Sequence, residues 1–240
     1  ATSHGVNLPP DDGKICSFDC LYCEAGFNAQ GAGTTGFTPR AEVARLLGRK
    51  LQAMHAAGKP LDVITFSGNG EPTLHPDFPA IVDDTLALRS RYYPEAKVSV
   101  LTNSTRIFDP AVAAALKKVD NNILKLDSAL DDTIRVLDRP NSPGFTADKV
   151  IESLRQFAGT GIIQTMMLRG EWEGLHIDNT TDAEVDALIE AYRRIAPREI
   201  MLYSIDRPTP ARNLEKIPAE ELRAIGQRIH AATGIPVQVN

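Results

Sequence analysis

Beyond a single eight-residue stretch the sequence has no cysteine: all three lie in Cys16-Ser17-Phe18-Asp19-Cys20-Leu21-Tyr22-Cys23. An odd, tightly spaced set makes a poor disulfide framework. No run of about 18 apolar residues occurs, which excludes a membrane-spanning helix, and the opening residues lack the basic-then-apolar order of a signal peptide. A cytoplasmic protein without a membrane partner is expected. Positive charge is not in excess either: 26 Lys and Arg face 31 Asp and Glu, for a net charge of −5. That balance argues against a general field for polyanions, and DNA is not an expected partner. Low-complexity tracts, linkers and close internal repeats are missing as well. With 42% hydrophobic and 24% charged residues, the composition is that of an ordinary globular protein, and residues 1–240 are expected to form one domain. The chain opens on Ala1, and Ser3–Leu8 reads as an element already under way, so native residues ahead of it are expected.

What recurs is an alternation of elements. Apolar, β-rich runs at Val6–Leu8, Leu61–Phe66, Lys97–Leu101, Asn122–Leu126, Ile162–Leu168 and Glu199–Ser204 suit buried parallel strands. Helical spacing marks Arg40–Ala57, Pro76–Leu88, Pro110–Lys118, Ala147–Phe157, Thr181–Ile195 and Pro218–Thr233, and Thr181-Asp182-Ala183-Glu184 reads as a capping box. Beyond Pro208 the pattern leaves one last helix and a short extension at Val237–Val239. Strands alternating with helices predict βαβ units, and about six strands are too few for a closed eight-stranded barrel. The expected class is α/β: a partial (βα)6 TIM-like barrel, parallel and laterally open.

Polar residues follow the apolar run of five strands: Ser67–Glu71, Thr102–Ser104, Asp127-Ser128, Arg169–Glu171 and Asp206-Arg207. Loops at the carboxyl ends of barrel strands build active sites. Lys125 within an apolar strand, Arg169 with Glu171, and Tyr203 with Asp206 and Arg207 are therefore candidates for substrate contact, with a structural ion pair as the alternative for each. Trp172, the one tryptophan, sits in a turn that can form a lid or an ordinary exposed loop. Asn179-Thr180-Thr181 and Asn103-Ser104-Thr105 match the glycosylation pattern, which is irrelevant for a cytosolic protein.

Three clustered thiols point to metal, and thiolates select zinc or iron–sulfur. Structural zinc would want a fourth protein ligand, yet His4, His55, His75, His176 and His230 are scattered singly. A [4Fe–4S] cluster held by Cys16, Cys20 and Cys23 needs no fourth protein ligand.

The spacing Cys16-x3-Cys20-x2-Cys23, with Tyr22 before the last cysteine, resembles the signature of the radical S-adenosylmethionine (SAM) superfamily. That resemblance implies a [4Fe–4S] cluster that chelates SAM, reductive cleavage of SAM to a 5′-deoxyadenosyl radical, hydrogen abstraction from substrate, and an external electron donor of the flavodoxin or ferredoxin type. Ser67-Gly68-Asn69-Gly70-Glu71-Pro72 is similar to the superfamily's Gly-Gly-Glu segment. Gly68 and Gly70 would let the backbone approach SAM, and Glu71 would accept a hydrogen bond from the methionine ammonium. Asn69 separates the two glycines, so Gly70-Glu71 is the transferable pair. By the same resemblance Asp127 and Ser128 would bond the ribose hydroxyls, Asn103 and Gln164 the methionine carboxylate, and Tyr22, with Phe18 second, would pack on adenine. No residue is singled out as the catalytic one.

Ser3–Leu8, Thr65–Pro76 and Tyr203–Pro210 further resemble Fe–S oxidoreductases related to the tRNA wyosine-base synthases. Those synthases carry a second cluster, for which this chain has no cysteines, and the acidic composition also speaks against a tRNA body contact. A glycyl-radical enzyme activase is the next alternative, and a non-catalytic zinc-binding module is the alternative of another class. A laterally open barrel suits a large substrate: a peptide, a protein loop or an RNA loop.

Overall fold

All 240 residues are described in the computed structural model. They divide into two compact units. Unit 1 comprises Ala1–Cys16, Asn28–Thr102 and Arg106–Ile123, and unit 2 comprises Ser17–Phe27, Asn103–Thr105 and Leu124–Asn240. Unit 1 carries 12 Lys and Arg against 11 Asp and Glu, and unit 2 carries 14 against 20.

Unit 1 contains β1 (Ser3–Val6), α1 (Arg40–Ala56), β2 (Val63–Phe66), α2 (Phe78–Tyr92), β3 (Lys97–Thr102) and α3 (Pro110–Leu116). The strands pair in parallel, Val6 opposite Phe66 and Phe66 opposite Val100. Ile64, Phe66, Val98 and Val100 are fully buried between strand and helix layers. Val43, Leu47 and Leu51 repeat every four residues along α1 and give it one buried face. Asp109 caps α3 by accepting from the Ala111 N–H at 2.9 Å, with Pro110 in the first turn, where its missing donor costs nothing.

The strand β4 (Asn121–Lys125) straddles the boundary between the units. Unit 2 continues with α4 (Asp131–Leu137), α5 (Ala147–Leu154), β5 (Ile162–Trp172), β6 (Leu175–Asp178), α6 (Asp182–Ile195), β7 (Glu199–Ser204), β8 (Leu214–Lys216), α7 (Ala219–Thr233) and β9 (Val237–Val239). β5, β7 and β9 pair in parallel, whereas β6 and β8 flank the distal half of β5 antiparallel. The strand order is β1-β2-β3-β4-β5-β7-β9, with no pairing between its first and last members. The sheet is open and its core strands are parallel, the partial-barrel class expected from the alternation.

Several details differ from the sequence reading, among them β6 and β8, for which no strand was expected. The first strand lies at Ser3–Val6 rather than Val6–Leu8, because Asn7 turns its side chain to the chain after β2. Helix α4 was not expected because only Ile134 and Leu137 of its residues form a buried apolar face, too few to show periodicity. Thr181 does cap α6, accepting from the Glu184 N–H at 3.3 Å. The Glu184 carboxylate, however, is taken by Ser128 and Thr133 instead of closing the capping box.

Candidate functional site

In unit 1 the Gly-Asn-Gly-Glu turn follows β2. Gly70 has φ of +146°, and a Cβ there would stand 1.9 Å from the Ile15 carbonyl oxygen. Only glycine permits this conformation and this approach. The turn is laced to the residue before Cys16: Ile15 N–H donates to Asn69 O at 3.2 Å, and Glu71 N–H donates to Ile15 O at 2.9 Å. A Cβ on Gly68 would likewise meet the Asn7 amide oxygen, which accepts from the Asn69 N–H at 3.0 Å. The glycines thus serve a protein–protein approach that anchors the start of the cysteine loop. Glu71 is 2% exposed, and its Oε1 accepts from the Thr73 hydroxyl at 2.9 Å and the Thr102 hydroxyl at 2.7 Å.

In unit 2 the rest of the cysteine loop is shaped by backbone. Cys23 N–H donates to Cys20 O at 3.2 Å, so these two cysteines bracket a tight turn. Asp19 N–H and Leu21 N–H donate to Asp138 O and Leu137 O at 2.9 and 3.0 Å, and Asn141 N–H donates to Ser17 O at 2.9 Å. Residues 137–141, from the last residue of α4 onward, therefore form a strap along residues 17–21. The Cys20 thiol faces the Asp138 carboxyl at 3.6 Å. Burial, then the neighbouring Asp127 carboxyl, pushes Asp138 well above the usual carboxylate range, which favours its protonated form.

Strand alternation builds the polar group of unit 2. Thr165 bonds Tyr192 of α6, so it looks toward the helices, and Gln164 and Met166 look the other way. On that opposite face Met166 is paired with Tyr203 of β7. There Lys125 Nζ donates to the Tyr22 hydroxyl, which donates to Asp127 Oδ2 at 2.5 Å, and Lys125 lies 3.4 Å from the same oxygen. Nζ also sits 4.7 Å above the Tyr22 ring. The other Asp127 oxygen accepts from Met166 N–H at 2.9 Å.

Charge and burial set the states of these groups. Burial pushes the Tyr22 hydroxyl well above its ordinary 10, and the Asp127 charge adds to the effect. Burial pushes Tyr203, hydrogen-bonded to Tyr22, up to about 12. For Lys125 burial acts downward, but Asp127 leads a set of neighbours that outweighs it and holds the ammonium well above 10.5. The result is a cation flanked by two neutral phenols. It can anchor an anionic or carbonyl group of a ligand, but it has no free lone pair for nucleophilic attack.

Other expected residues stand elsewhere. Ser128 donates to Glu184 Oε2 at 2.7 Å and accepts from the Leu130 N–H, so its hydroxyl is engaged within the fold. Asn103 donates to Ser17 Oγ at 2.9 Å and accepts from the Thr105 N–H at 3.1 Å, steadying the cysteine loop. The backbone carbonyl of Gln164 accepts from Leu126 N–H, and its side chain shares the face of Met166. Arg169 joins Glu221, Thr180 and Asp178 in a network tying β5 and β6 to α7. Asp206 pairs with Lys216, and Arg207 with Glu24, both at the surface. Of the six candidate substrate residues, only Lys125 and Tyr203 belong to the polar group. Trp172 lies at a β5–β6 hairpin whose turn, Glu173-Gly174, has φ of 50° and 78°, and its ring packs on Phe27.

Sequence reasoning singled out neither Asn179 nor Asp138. Asn179 is fully buried; its amide donates to Asp127 O and Met166 O, and its oxygen accepts from Leu168 N–H. Its only sequence signal was a glycosylation pattern, which burial excludes. Asp138 carried no signal, because nothing in its neighbourhood along the chain announces its place beside Cys20.

The donor chemistry fits an iron–sulfur cluster: three thiols, none in a disulfide, lie in one loop held by backbone bonds. As the loop stands, no three Cys, His, Asp or Glu side chains converge into a closed donor group. No helix is long and apolar enough to cross a membrane.

Comparison with known proteins gives the family. A UPF0026 protein of Synechocystis sp. is 29% identical, covering 94% of this chain and 86% of its own. A radical SAM methyltransferase from Sphaerobacter thermophilus shares the fold with a TM-score of 0.71 and 19% identity over 99% of this chain, which spans 65% of that enzyme's length. TYW1, solved with a lysine-pyruvate adduct bound, shares it with a TM-score of 0.62 and 14% identity, over 95% of this chain and 73% of its own. The model of the Radical SAM superfamily matches residues 12–173, about two thirds of the sequence, and the chain therefore belongs to that superfamily, whose cofactors are a [4Fe–4S] cluster and SAM.

Proposed function

We propose that this chain is an enzyme of reductive SAM cleavage that takes a hydrogen atom from a peptide or protein segment. When bound, the cluster and SAM supply an electron and, on scission of SAM's carbon–sulfur bond, the 5′-deoxyadenosyl radical. Cys16, Cys20 and Cys23 would hold the cluster, and Gly70-Glu71 would meet the methionine end of SAM. Tyr22 would pack on adenine, and Asp127, whose two oxygens are held by Tyr22, Lys125 and the Met166 N–H, would orient Tyr22 and Lys125. Tyr203 and Lys125 would hold a carbonyl or carboxylate of the substrate. The observation that carries this reading is the meeting of Tyr22, from the cysteine loop, with Lys125, Asp127 and Tyr203 in one buried group.

Two features favour a peptide or protein over RNA and over wyosine chemistry. Unit 2 holds 20 acidic residues against 14 basic ones, a balance that repels a phosphate backbone. Lys125 is ion-paired with Asp127, which favours the ammonium over the neutral amine that adds to a carbonyl. The test is anaerobic reconstitution with iron and sulfide, reduction with dithionite in the presence of SAM, and chromatography for 5′-deoxyadenosine. The parent protein should form it, and Cys20→Ala should form none. Bound zinc with no 5′-deoxyadenosine would support a binding module instead, and stimulation by RNA but not by peptides would reverse the substrate class.

A further inference from the structure

The structure assigns to Arg139 a positioning role: it pre-shapes the cysteine loop before any metal binds. Arg139 follows α4 in the left-handed region, with φ of 51°, where glycine is the favoured residue and a larger side chain is strained. Something must offset that cost, and the side chain shows what. Its Nη2 pairs with Asp19 Oδ2 at 3.1 Å, between Cys16 and Cys20. Its guanidinium lies 5.1 Å from the Phe27 ring centre and 5.3 Å from that of Trp172, within cation–π range of both. Phe27 and Trp172 are themselves 5.5 Å apart. One planar cation thus grips the loop on both sides of the Cys20–Cys23 turn. The backbone rungs from Leu137, Asp138 and Asn141 to residues 17–21 run beside it. Its Nη1 is buried without a hydrogen-bond partner, so the group is placed for its stack and ion pair rather than for full hydrogen bonding.

The inference rests on the cysteine loop being the cluster holder, but its test is read on the metal-free, reduced full chain, so it stands or falls apart from SAM cleavage. Arg139→Gly separates positioning from stability, because glycine relieves the left-handed strain while removing the grip. Its unfolding temperature should equal or exceed the parent's. Alkylation of Cys20 and Cys23, followed by mass spectrometry, should nevertheless run about tenfold faster as the loop opens locally. Cys16, anchored through Ile15, should react at the parental rate. Emission of the single tryptophan, Trp172, should shift to the red. Arg139→Lys keeps the charge without the flat face, and should fall between parent and Arg139→Gly. Unchanged alkylation in Arg139→Gly, or an equal rise at Cys16, would overturn the assignment.

Discussion

The glycine-glutamate turn of unit 1 and the lysine-tyrosine-aspartate group of unit 2 are built by opposite means. The first is a main-chain construction, in which Gly70 and Glu71 lie against the Ile15 carbonyl and two threonine hydroxyls donate to one oxygen of the carboxylate. The second is made of side chains that meet across more than a hundred positions, Lys125 with Tyr22 and Tyr22 with Asp127. A main-chain site is broken by volume and backbone conformation. A buried side-chain site is broken by leaving a charge without its partner.

Three substitutions sharpen the contrast, in falling order of effect. Gly70→Ala should cost about 3–4 kcal/mol, since it adds both strain at a φ open to glycine and overpacking against the Ile15 oxygen; urea unfolding measures it. A loss below about 1 kcal/mol would mean that the turn yields and is not rigidly laced. Asp127→Asn should cost about 3 kcal/mol by stranding the buried Lys125 cation, and adding Lys125→Met should recover most of it.

This second change has a pH signature. Lys125 is held above its ordinary 10.5 in the folded state, so its charge favours the fold fully below that value, and the benefit is lost as pH rises through the raised folded value. Parent stability should therefore fall on strong alkalinisation, and the fall should shrink in Asp127→Asn. The smallest effect belongs to Ser128→Ala, about 1–2 kcal/mol from the lost bonds to Glu184 and the Leu130 N–H. SAM affinity, read by calorimetry, should stay unchanged. A clear loss of affinity would return Ser128 to the sugar.

The cysteine motif, and the glycine turn after β2, were legible because each lies in contiguous residues, and local spacing survives whatever the tertiary fold does. Strand and helix positions were legible for the same reason. Glu199–Ser204 and the cap at Thr181 follow from alternation and capping within a few residues. What contiguous residues do not encode is which way a strand-end side chain turns. Ser128 and Asn103 are engaged by Glu184 and Ser17, each more than fifty positions away. Arg169 lies on the opposite face of β5 from Gln164 and Met166, an outcome of strand parity and register.

The amino-acid order alone thus determined the family motif, the open α/β class and most element positions, because these rest on short-range periodicity and spacing. Only the tertiary structure decided that Asp138, Arg139 and Asn179 stand beside the site, and that Lys125 is a paired cation. Those facts depend on burial and on partners distant along the chain, which no local pattern encodes.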